Sequence, residues 1–518
     1  MARAHEAGEA GVAQALRVLI GERLDRLDDK ARSLLPYAAA MGRSFDPQIL
    51  ARVLDMPLAD LFSALGDLER RGIFRASAPG SYDFSHDLIR QAAYHQLSEP
   101  RRRLVHLQLA RVLSTWPDPS GELSGDGETA ARAYLAAAQR CVRLFAWAEA
   151  SDLCRRGIGQ LPRLDRATRL HLEVELLGAE VLGKPSPDRT RDIDLELLRA
   201  TAAAEEAGLH ADAARGYYLR SVLQFRGERS EAAVETSWRG ALVGRSADAL
   251  TAASSQAEAG RCLVLLEREI PKAKDLLEGA HAVLLNDEDD LMLNWGLGLL
   301  KRYAGEPQEA ARRLEVAAAL ARRIESHWEE TECLRALTLL AIEQGDFAAA
   351  RARCPSMLDL AAKMGEGSER PIAEAIESLA RVLGGDTAAE TLLEAALDRV
   401  READAKAMLS TLLNLAAEDD LARGHLERAR TRAREALAAS RAVERSNQVA
   451  IARAILARLA LRGSDRAGAE ALIASMRPEL ATPLALSAYA RRAVEAAVRA
   501  WEASSPSRAP NAGRHHVG

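Results

Sequence analysis

The residues that could do chemistry in this chain are few, and their spacing argues against most kinds of catalysis. A string from Gly178 to Pro185, GAEVLGKP, has the glycine and lysine spacing of a phosphate-binding P-loop. It ends in proline, whereas a P-loop needs a serine or threonine hydroxyl there to bind Mg²⁺. The string also lies where a turn between two helices is expected, not after a strand. We therefore predict that it does not bind nucleotide.

Histidine and cysteine residues offer no metal site. His86, His95 and His106 are nine and eleven positions apart, and nine residues turn a helix through about 900°, so the first two face opposite sides. Pro100 interrupts the second interval. The five cysteines are widely spread and form no CxxC pair, which is typical of reduced thiols in a cytoplasmic protein. No GxSxG or HExxH motif occurs, so we expect neither catalytic nor metal-binding residues.

Composition favours an all-helical protein. Of 518 residues, 48% are apolar but only 4% are aromatic, and there are only 34 glycines and 18 prolines. The net charge of −5 gives no general attraction to nucleic acid. The longest apolar run, Leu291 to Leu300, is too short to cross a bilayer, and the first residues lack the apolar core of a signal peptide. We expect a cytoplasmic protein with no membrane partner.

A short pattern recurs about every forty residues. It consists of a turn residue, a polar turn, and a small residue five positions on. The turn residues are Phe145, Gly227, Arg268, Gly305, Gly345, Gly384, Gly424 and Gly463, and the interval from 145 to 227 holds one degenerate copy. The small residues are Ala150, Ala232, Ala273, Ala310, Ala350, Ala389, Ala429 and Gly468.

The spacing within each copy predicts a helix, a tight turn and a second helix. A small side chain lets the partner helix approach closely, and the ninth position, which includes Cys154 and Cys354, fills the gap behind it. One such pair cannot bury its apolar face alone, so the pairs should stack. The pattern resembles tetratricopeptide-like repeats and predicts an α-solenoid over residues 129–502. Residues 1–16 and 503–518 should be flexible or disordered.

The segment before the repeats has a different pattern. Residues 117–128 are rich in proline, glycine and acids and predict a linker. Upstream, over 17–116, three helices are expected, the first from Leu24 to Leu35, the second capped by Asp46, and the third ending at Arg71. A β-hairpin and a fourth helix, DLIRQAAYHQL, follow. This order predicts a winged-helix-like domain.

Winged helices often bind DNA, but this one lacks the expected charge. The third helix carries Asp60 and Asp67, whereas Arg70 and Arg71 lie at its far end. Helices that read bases usually present their N-terminal residues to the groove, where these carboxylates would face phosphates. We therefore expect no direct DNA binding.

Three stretches of this segment resemble signal-transduction ATPases with numerous domains, the STAND group. They are IGERLDRLDDKARSLLPYAAAMGRSFD (20–46), YDFSHDLIRQAAYHQL (82–97) and RRRLVHLQLARVL (101–113). In relatives, a Met-His-Asp triplet opens the last winged-helix helix, and its histidine senses the bound nucleotide. Here the triplet reads Ser85-His86-Asp87, so the methionine is missing. The resemblance implies that His86 senses nucleotide and that Asp87 caps the helix; otherwise His86 serves only to cap the helix and pack the hairpin.

A complete STAND protein also has a P-loop domain, which we do not find in this sequence. One hypothesis is a non-catalytic module that binds a protein or small effector on the concave face of the solenoid. It would be coupled to a nucleotide-binding domain in cis or in trans, which would supply the ATP or ADP site. A second hypothesis is a truncated remnant of such a regulator with a scaffold function only. A third is an enzyme with an unrecognised site in the solenoid, which no motif supports.

Overall fold

The computed structural model describes residues 26–41, 44–77, 81–95, 127–183, 187–281, 286–365 and 367–504, with isolated positions at 24, 97–98, 101, 104–105, 108–109, 112, 185 and 283. Residues 1–16, most of the expected linker and all of the tail beyond Ser504 therefore lie outside the description. Apart from three short strands, the described elements are helices, as the composition predicts. The chain divides into two compact units, and the boundary falls between Ala203 and Ala204.

The first unit begins with a winged-helix-like segment, which we define as residues 24–95. Its elements are α1 (Asp29–Met41), β1 (Ser44–Phe45), α2 (Pro47–Val53), α3 (Leu58–Arg70), β2 (Phe74–Ala76), β3 (Tyr82–Phe84) and α4 (Asp87–His95). The strands form an antiparallel sheet in the order β1-β3-β2. The rings of Phe45 and Phe84 pack edge-on against Phe74, with centroids 4.7 and 4.8 Å from it. These contacts join the three strands, and the three rings share one buried core with side chains of the helices.

Two details of this segment differ from the prediction. The helix predicted from Leu24 to Leu35 is interrupted at residues 26–28, where the Asp28 carboxylate accepts the backbone N–H of Ala31 at 2.6 Å and so caps α1. It also continues through Pro36 to Met41, since the alanines that follow the proline are buried and their packing favours the helix. The second difference is β1, which pairs with β3 at Phe45–Tyr82. Only two residues long, it is too short for an alternating pattern to reveal.

Helix pairs follow the winged-helix-like segment in both units. The first unit continues with α5 (Gly127–Arg143), α6 (Trp147–Ile158), α7 (Arg166–Leu182) and α8 (Pro187–Glu206), the last of which runs past the boundary. The second unit contains α9 (His210–Arg226), α10 (Ser230–Gly244), α11 (Ala249–Leu265), α12 (Ile270–Ala280), α13 (Asp287–Ala304), α14 (Pro307–Arg323), α15 (His327–Glu343), α16 (Phe347–Met364), α17 (Glu369–Leu383), α18 (Glu390–Glu402), α19 (Lys406–Arg423), α20 (Leu426–Ala442), α21 (Ser446–Arg462), α22 (Arg466–Ala474), α23 (Arg477–Ala481) and α24 (Ala488–Ala503). The chain is therefore an α-helical repeat protein of the tetratricopeptide-like kind.

The turn residues found in the sequence do separate paired helices. Gly305, Gly345 and Gly424 have positive φ angles of 85°, 75° and 85°, a conformation that glycine adopts without strain. The small residues five positions later are fully buried, as predicted. These are Ala150, Ala273, Ala310, Ala350, Ala389 and Ala429.

Two predicted positions are wrong by one residue. At Gly227 the left-handed residue is the next one, Glu228, with φ 54°. The helix therefore starts one position later, so Ala233 is fully buried and Ala232 only half-buried. The last pair shows the same shift, at Gly463, Ser464, Gly468 and Ala469. In these two repeats the left-handed residue, rather than the glycine, stands five positions before the buried alanine.

Glycines inside helices let neighbouring helices pack closely. A Cβ atom added at Gly260 on α11 would lie 2.7 Å from Leu277 Cγ, and one added at Gly296 on α13 would lie 2.6 Å from Leu277 Cδ2. Leu277 on α12 is thus held between two helices at positions where only hydrogen fits. Gly298 accommodates Leu314 in the same way, at 2.7 Å from its Cγ. The alanines in the sequence predict that paired helices approach closely, and these glycines allow the same close approach.

Within the second unit, turns about 180 positions apart contact each other. The Glu228 carboxylate accepts the backbone N–H of Ala407 at 3.3 Å, and the Glu267 carboxylate accepts that of Asn447 at 3.0 Å. Both N–H groups lie in the first turn of a helix, where a carboxylate is favourable. A third contact joins the Tyr303 hydroxyl to the Leu484 carbonyl at 3.2 Å. Repeats four to five copies apart therefore lie side by side in this unit.

Candidate functional site

His86 lies between β3 and α4, and its side chain is exposed. Its carbonyl accepts the backbone N–H of Ile89 at 3.0 Å, so the backbone of His86 begins the hydrogen bonding of α4. Its imidazole forms no hydrogen bond or ion pair with any residue that the structure describes. The ring is therefore exposed in the part of the chain that the structure describes.

The loop that carries His86 is fixed by its neighbour Ser85. The Ser85 backbone N–H donates to the Ile73 carbonyl at 2.9 Å, and the hydroxyl donates to the Gly72 carbonyl at 2.6 Å. These bonds tie the end of β3 to the start of the hairpin and hold the His86 backbone in place. The side chain of Asp87, expected to cap α4, lies outside the described part of the structure, so its role stays a prediction.

The two carboxylates of helix α3 form ion pairs with nearby basic side chains. Asp60 pairs with Lys30 at 2.7 Å, and Asp67 pairs with Arg71 at 2.7 Å. The face of α3 that points outward is instead apolar, because Leu58 is 72% exposed and Phe62 is 82% exposed. These two residues are one helical turn apart and share a face. We call them the α3 apolar pair.

The P-loop-like string has a structural role. Its first five residues, Gly178 to Leu182, form the end of α7. Glu180 within it is 1% exposed and pairs with Arg189 at 2.8 Å, while Arg189 also pairs with Glu196 at 2.7 Å. The side chains thus join α7 to α8, and this part of the string is not a loop around phosphate.

The cysteines are buried and unreactive in character. All five are free thiols with buried side chains. Burial raises the pKa of Cys141 to about 12 and that of Cys354 to about 11, because a thiolate would lose its hydration. No group of three or more potential metal-binding side chains occurs among the residues described, and none of the described helices is long and apolar enough to cross a membrane.

Two arginines stacked on two tryptophans form a cluster in the second unit that the sequence analysis missed. The Arg261 guanidinium lies 4.5 Å from the centre of the Trp295 ring, and that of Arg226 lies 4.7 Å from the centre of the Trp328 ring. The tryptophans touch edge-on, with centroids 5.8 Å apart. Helices α9, α11, α13 and α15 each contribute one residue. We call these four residues the arginine–tryptophan cluster.

The surroundings of the cluster contain further ionisable groups. Burial raises the pKa of Glu258, one turn before Arg261, to about 8. Burial also raises the pKa of Tyr218, whereas the nearby charge of Arg261 lowers it. Arg215 stacks on Tyr218 with its guanidinium 5.2 Å from the ring centre, and its side chain is 25% exposed. Arg215 therefore marks the solvent side of this group.

One signal in the sequence could have pointed to the cluster. Arg261 stands in the apolar stretch Gly260–Leu266, GRCLVLL, and a single charge inside such a stretch suggests a buried cation. Trp295 falls in the apolar run Leu291–Leu300, and the length of that run indicates no site. The sequence does not show that the packing of α11 and α13 brings Arg261 and Trp295 together.

Comparisons with known proteins give only a distant likeness. No protein-family model matches the chain, and no curated protein matches it. Among solved structures, it is similar to a STAND protein with a tetratricopeptide repeat sensor from Pyrococcus horikoshii (14% identity, TM-score 0.34, covering 76% of this chain and 66% of that protein). It is also similar to apo RapI (12%, 0.39, 67% and 93%) and to a Rap protein complexed with competence and sporulation factor (14%, 0.33, 83% and 99%). Likeness this weak assigns no ligand, partner or activity to the chain.

Proposed function

We propose that this chain is the non-catalytic regulatory part of a STAND-type ATPase or transcriptional regulator. In this proposal the helical repeats bind a protein or small effector. The winged-helix-like segment transmits that binding to a nucleotide-binding domain, which holds ATP or ADP and is supplied in cis or in trans. The observation that carries the proposal is the α3 apolar pair.

The α3 apolar pair is suited to protein contact. Exposed side chains as large as those of Phe62 and Leu58, side by side on one helix face, mark interaction sites more often than free surface. An apolar face does not favour contact with the phosphates of DNA, and the carboxylates of Asp60 and Asp67 on the same helix would oppose it. A folded domain that buries the pair is the partner of matching chemistry.

The position of His86 supports the choice of a nucleotide-binding domain. In the resemblance described above, the matching histidine lies near the phosphates of the bound nucleotide and senses its state. The imidazole of His86 is exposed and has no partner among the described residues, while the bonds of Ser85 hold its backbone in place. Such a side chain can reach phosphate on a neighbouring domain without refolding its own.

The repeats supply the effector-binding part. Stacked helix pairs keep their buried positions fixed, while the remaining positions are free to vary with the ligand. The second unit also buries polar and charged side chains that packing alone does not require, including Arg261 at 3% exposure and Gln224 at 3%. Buried polar groups of this kind are usual where a ligand is recognised.

Capture of partners from cells of the native host tests the proposal. We expect the wild-type chain to recover a protein with a P-loop domain, and Phe62→Ser to lose it. Leu392→Ser is the matched control, because Leu392 is also an exposed apolar residue (50%) but lies on α18 in the repeats. Recovery of the same proteins by wild type and Phe62→Ser would contradict the proposal and favour the scaffold-only remnant.

A further inference from the structure

Arg261 is a buried cation that has no ion-pair partner among the residues described. Arg261 is only 3% exposed, and its Nε–H has no hydrogen-bond acceptor among the described residues. None of the described carboxylates forms an ion pair with it. Its acidic neighbour on α11, Glu258, pairs instead with Arg215 at 3.9 Å, and burial raises the pKa of Glu258 to about 8. Proteins rarely bury a guanidinium in this way unless something else compensates its charge.

A second unpaired donor lies against the same arginine. Trp295 is fully buried, its ring stacks under Arg261, and its indole Nε1–H has no acceptor. The two N–H groups come from neighbouring helices, α11 and α13. A buried water could accept hydrogen bonds from both groups, but it would leave the charge of Arg261 uncompensated.

The other charged groups around the site already have partners. Glu329, 4% exposed, accepts a hydrogen bond from the Ser326 hydroxyl. Arg226 stacks on Trp328, and the charge of Glu329 acts on it. Arg215 pairs with Glu288 at 3.3 Å. Arg261 therefore forms no ion pair with any carboxylate that the structure describes, whereas Arg215 pairs with both Glu258 and Glu288.

We propose that Arg261 and Trp295 form a binding site for an oxyanion, a carboxylate or phosphate group of the effector. The fork of N–H groups on a guanidinium matches the two oxygens of such a group. The Trp295 ring holds the guanidinium plane in position, and its indole N–H offers one more hydrogen bond. This inference rests on the proposed role of the repeats in effector binding and names the chemistry that they recognise.

Thermal unfolding in two salts tests the site. We compare inorganic phosphate with chloride at equal ionic strength, for wild type, Arg261→Met and Arg466→Gln. The last is the matched control, since Arg466 also stacks on a tryptophan, Trp501, at 4.8 Å but donates a hydrogen bond to Ser504. We expect phosphate near ten times its Kd to raise the Tm of wild type and Arg466→Gln by roughly 2–4 °C more than that of Arg261→Met.

Arg261→Met also has an expected effect without any ligand. If Arg261 serves to bind a ligand and not to stabilise the fold, replacing it by an apolar side chain of similar length should leave the Tm in chloride unchanged or higher. A clearly lower Tm would show a structural role and would overturn the inference. Trp295→Phe keeps an aromatic ring but loses the N–H donor, so its phosphate response should be reduced.

Two peptides distinguish the sources of the oxyanion. The probes are acetyl-Ala-Ala-Leu with a free terminal carboxylate and the same peptide with an amidated terminus. Stabilisation by the free form alone, lost in Arg261→Met, identifies a peptide carboxylate; a response to phosphate alone identifies a phosphate-bearing effector. If no probe gives an Arg261-dependent response, the inference is wrong, while recovery of the P-loop partner through Phe62 would still support the proposed function.

Discussion

Replacing Gly298 by alanine tests whether the helix pairs depend on close approach. Gly298 lies in the middle of α13, and its added Cβ would be 2.7 Å from Leu314 Cγ and 3.2 Å from the Leu314 backbone nitrogen on α14. Alanine in a helix interior is favoured over glycine by about 1 kcal/mol. Forcing an extra methyl group into a packed contact costs about 1–3 kcal/mol.

The steric cost should exceed the helix-propensity gain at this position. The Cγ atom of Leu314 is a buried branch point of the side chain. The backbone nitrogen of Leu314 can move only if α14 moves. We therefore expect Gly298→Ala to lower the free energy of unfolding by about 1 kcal/mol. The measurement is urea unfolding followed by far-ultraviolet circular dichroism.

A control and a rescue make this test specific. Gly279→Ala on α12 adds a methyl group that meets only the end of the flexible Gln256 side chain, at 3.0 Å. Without a packing clash this variant should be as stable as wild type or more stable, by up to about 1 kcal/mol. Combining Gly298→Ala with Leu314→Ala should cost less than the sum of the single changes, by about 0.5 kcal/mol or more. If Gly298→Ala is as stable as wild type, or more stable, the close approach of α13 and α14 is refuted.

Three further predictions follow from buried charged and titratable groups. Asp420→Asn should destabilise the protein by about 3 kcal/mol in thermal unfolding, because Asp420 is fully buried and pairs with Arg428 and Arg432 at 2.6 Å each. The control is Asp404→Asn, which should be nearly neutral because Asp404 is exposed. Burial raises the folded-state pKa of Glu258 to about 8, so the folded protein binds this proton more tightly than the unfolded chain does. The contribution of Glu258 to the free energy of unfolding therefore falls as pH rises from about 4.5 to 8. Glu258→Gln should therefore raise Tm more at pH 8 than at pH 5, and an equal rise at both would contradict this pKa. The five buried thiols should resist a thiol reagent at pH 8 in the native protein and react fully in denaturant; rapid labelling of the native protein would show that they are accessible.

The repeat could be read from the sequence because it is a matter of spacing. Ala310, Ala350 and Ala429 recur at the same distance from a glycine, and each is buried where predicted. The two errors of register arose because Glu228 and Ser464 adopt a left-handed conformation that glycine usually takes. The sequence signal for a turn is the glycine, whereas the register depends on a backbone angle.

The candidate sites were less predictable, because they depend on contacts between distant parts of the chain. Arg261 and Trp295 are 34 positions apart and meet through the packing of α11 and α13. The contact between Glu267 and Asn447 spans 180 positions and follows from how successive repeats turn. The apolar pattern of α3 alone predicts that Phe62 is buried. Phe62 is exposed because of how α3 packs, which the pattern does not show.

Site-specific crosslinking at position 62 tests the central proposal most directly. A photoreactive benzoylphenylalanine replaces Phe62 in the full chain, produced in the native host, and the crosslinked species are identified by mass spectrometry. The proposal predicts a crosslink to a P-loop nucleotide-binding domain, and none to that domain when the same group replaces Leu392. A crosslink from position 62 to DNA, or no crosslink at all, would contradict it.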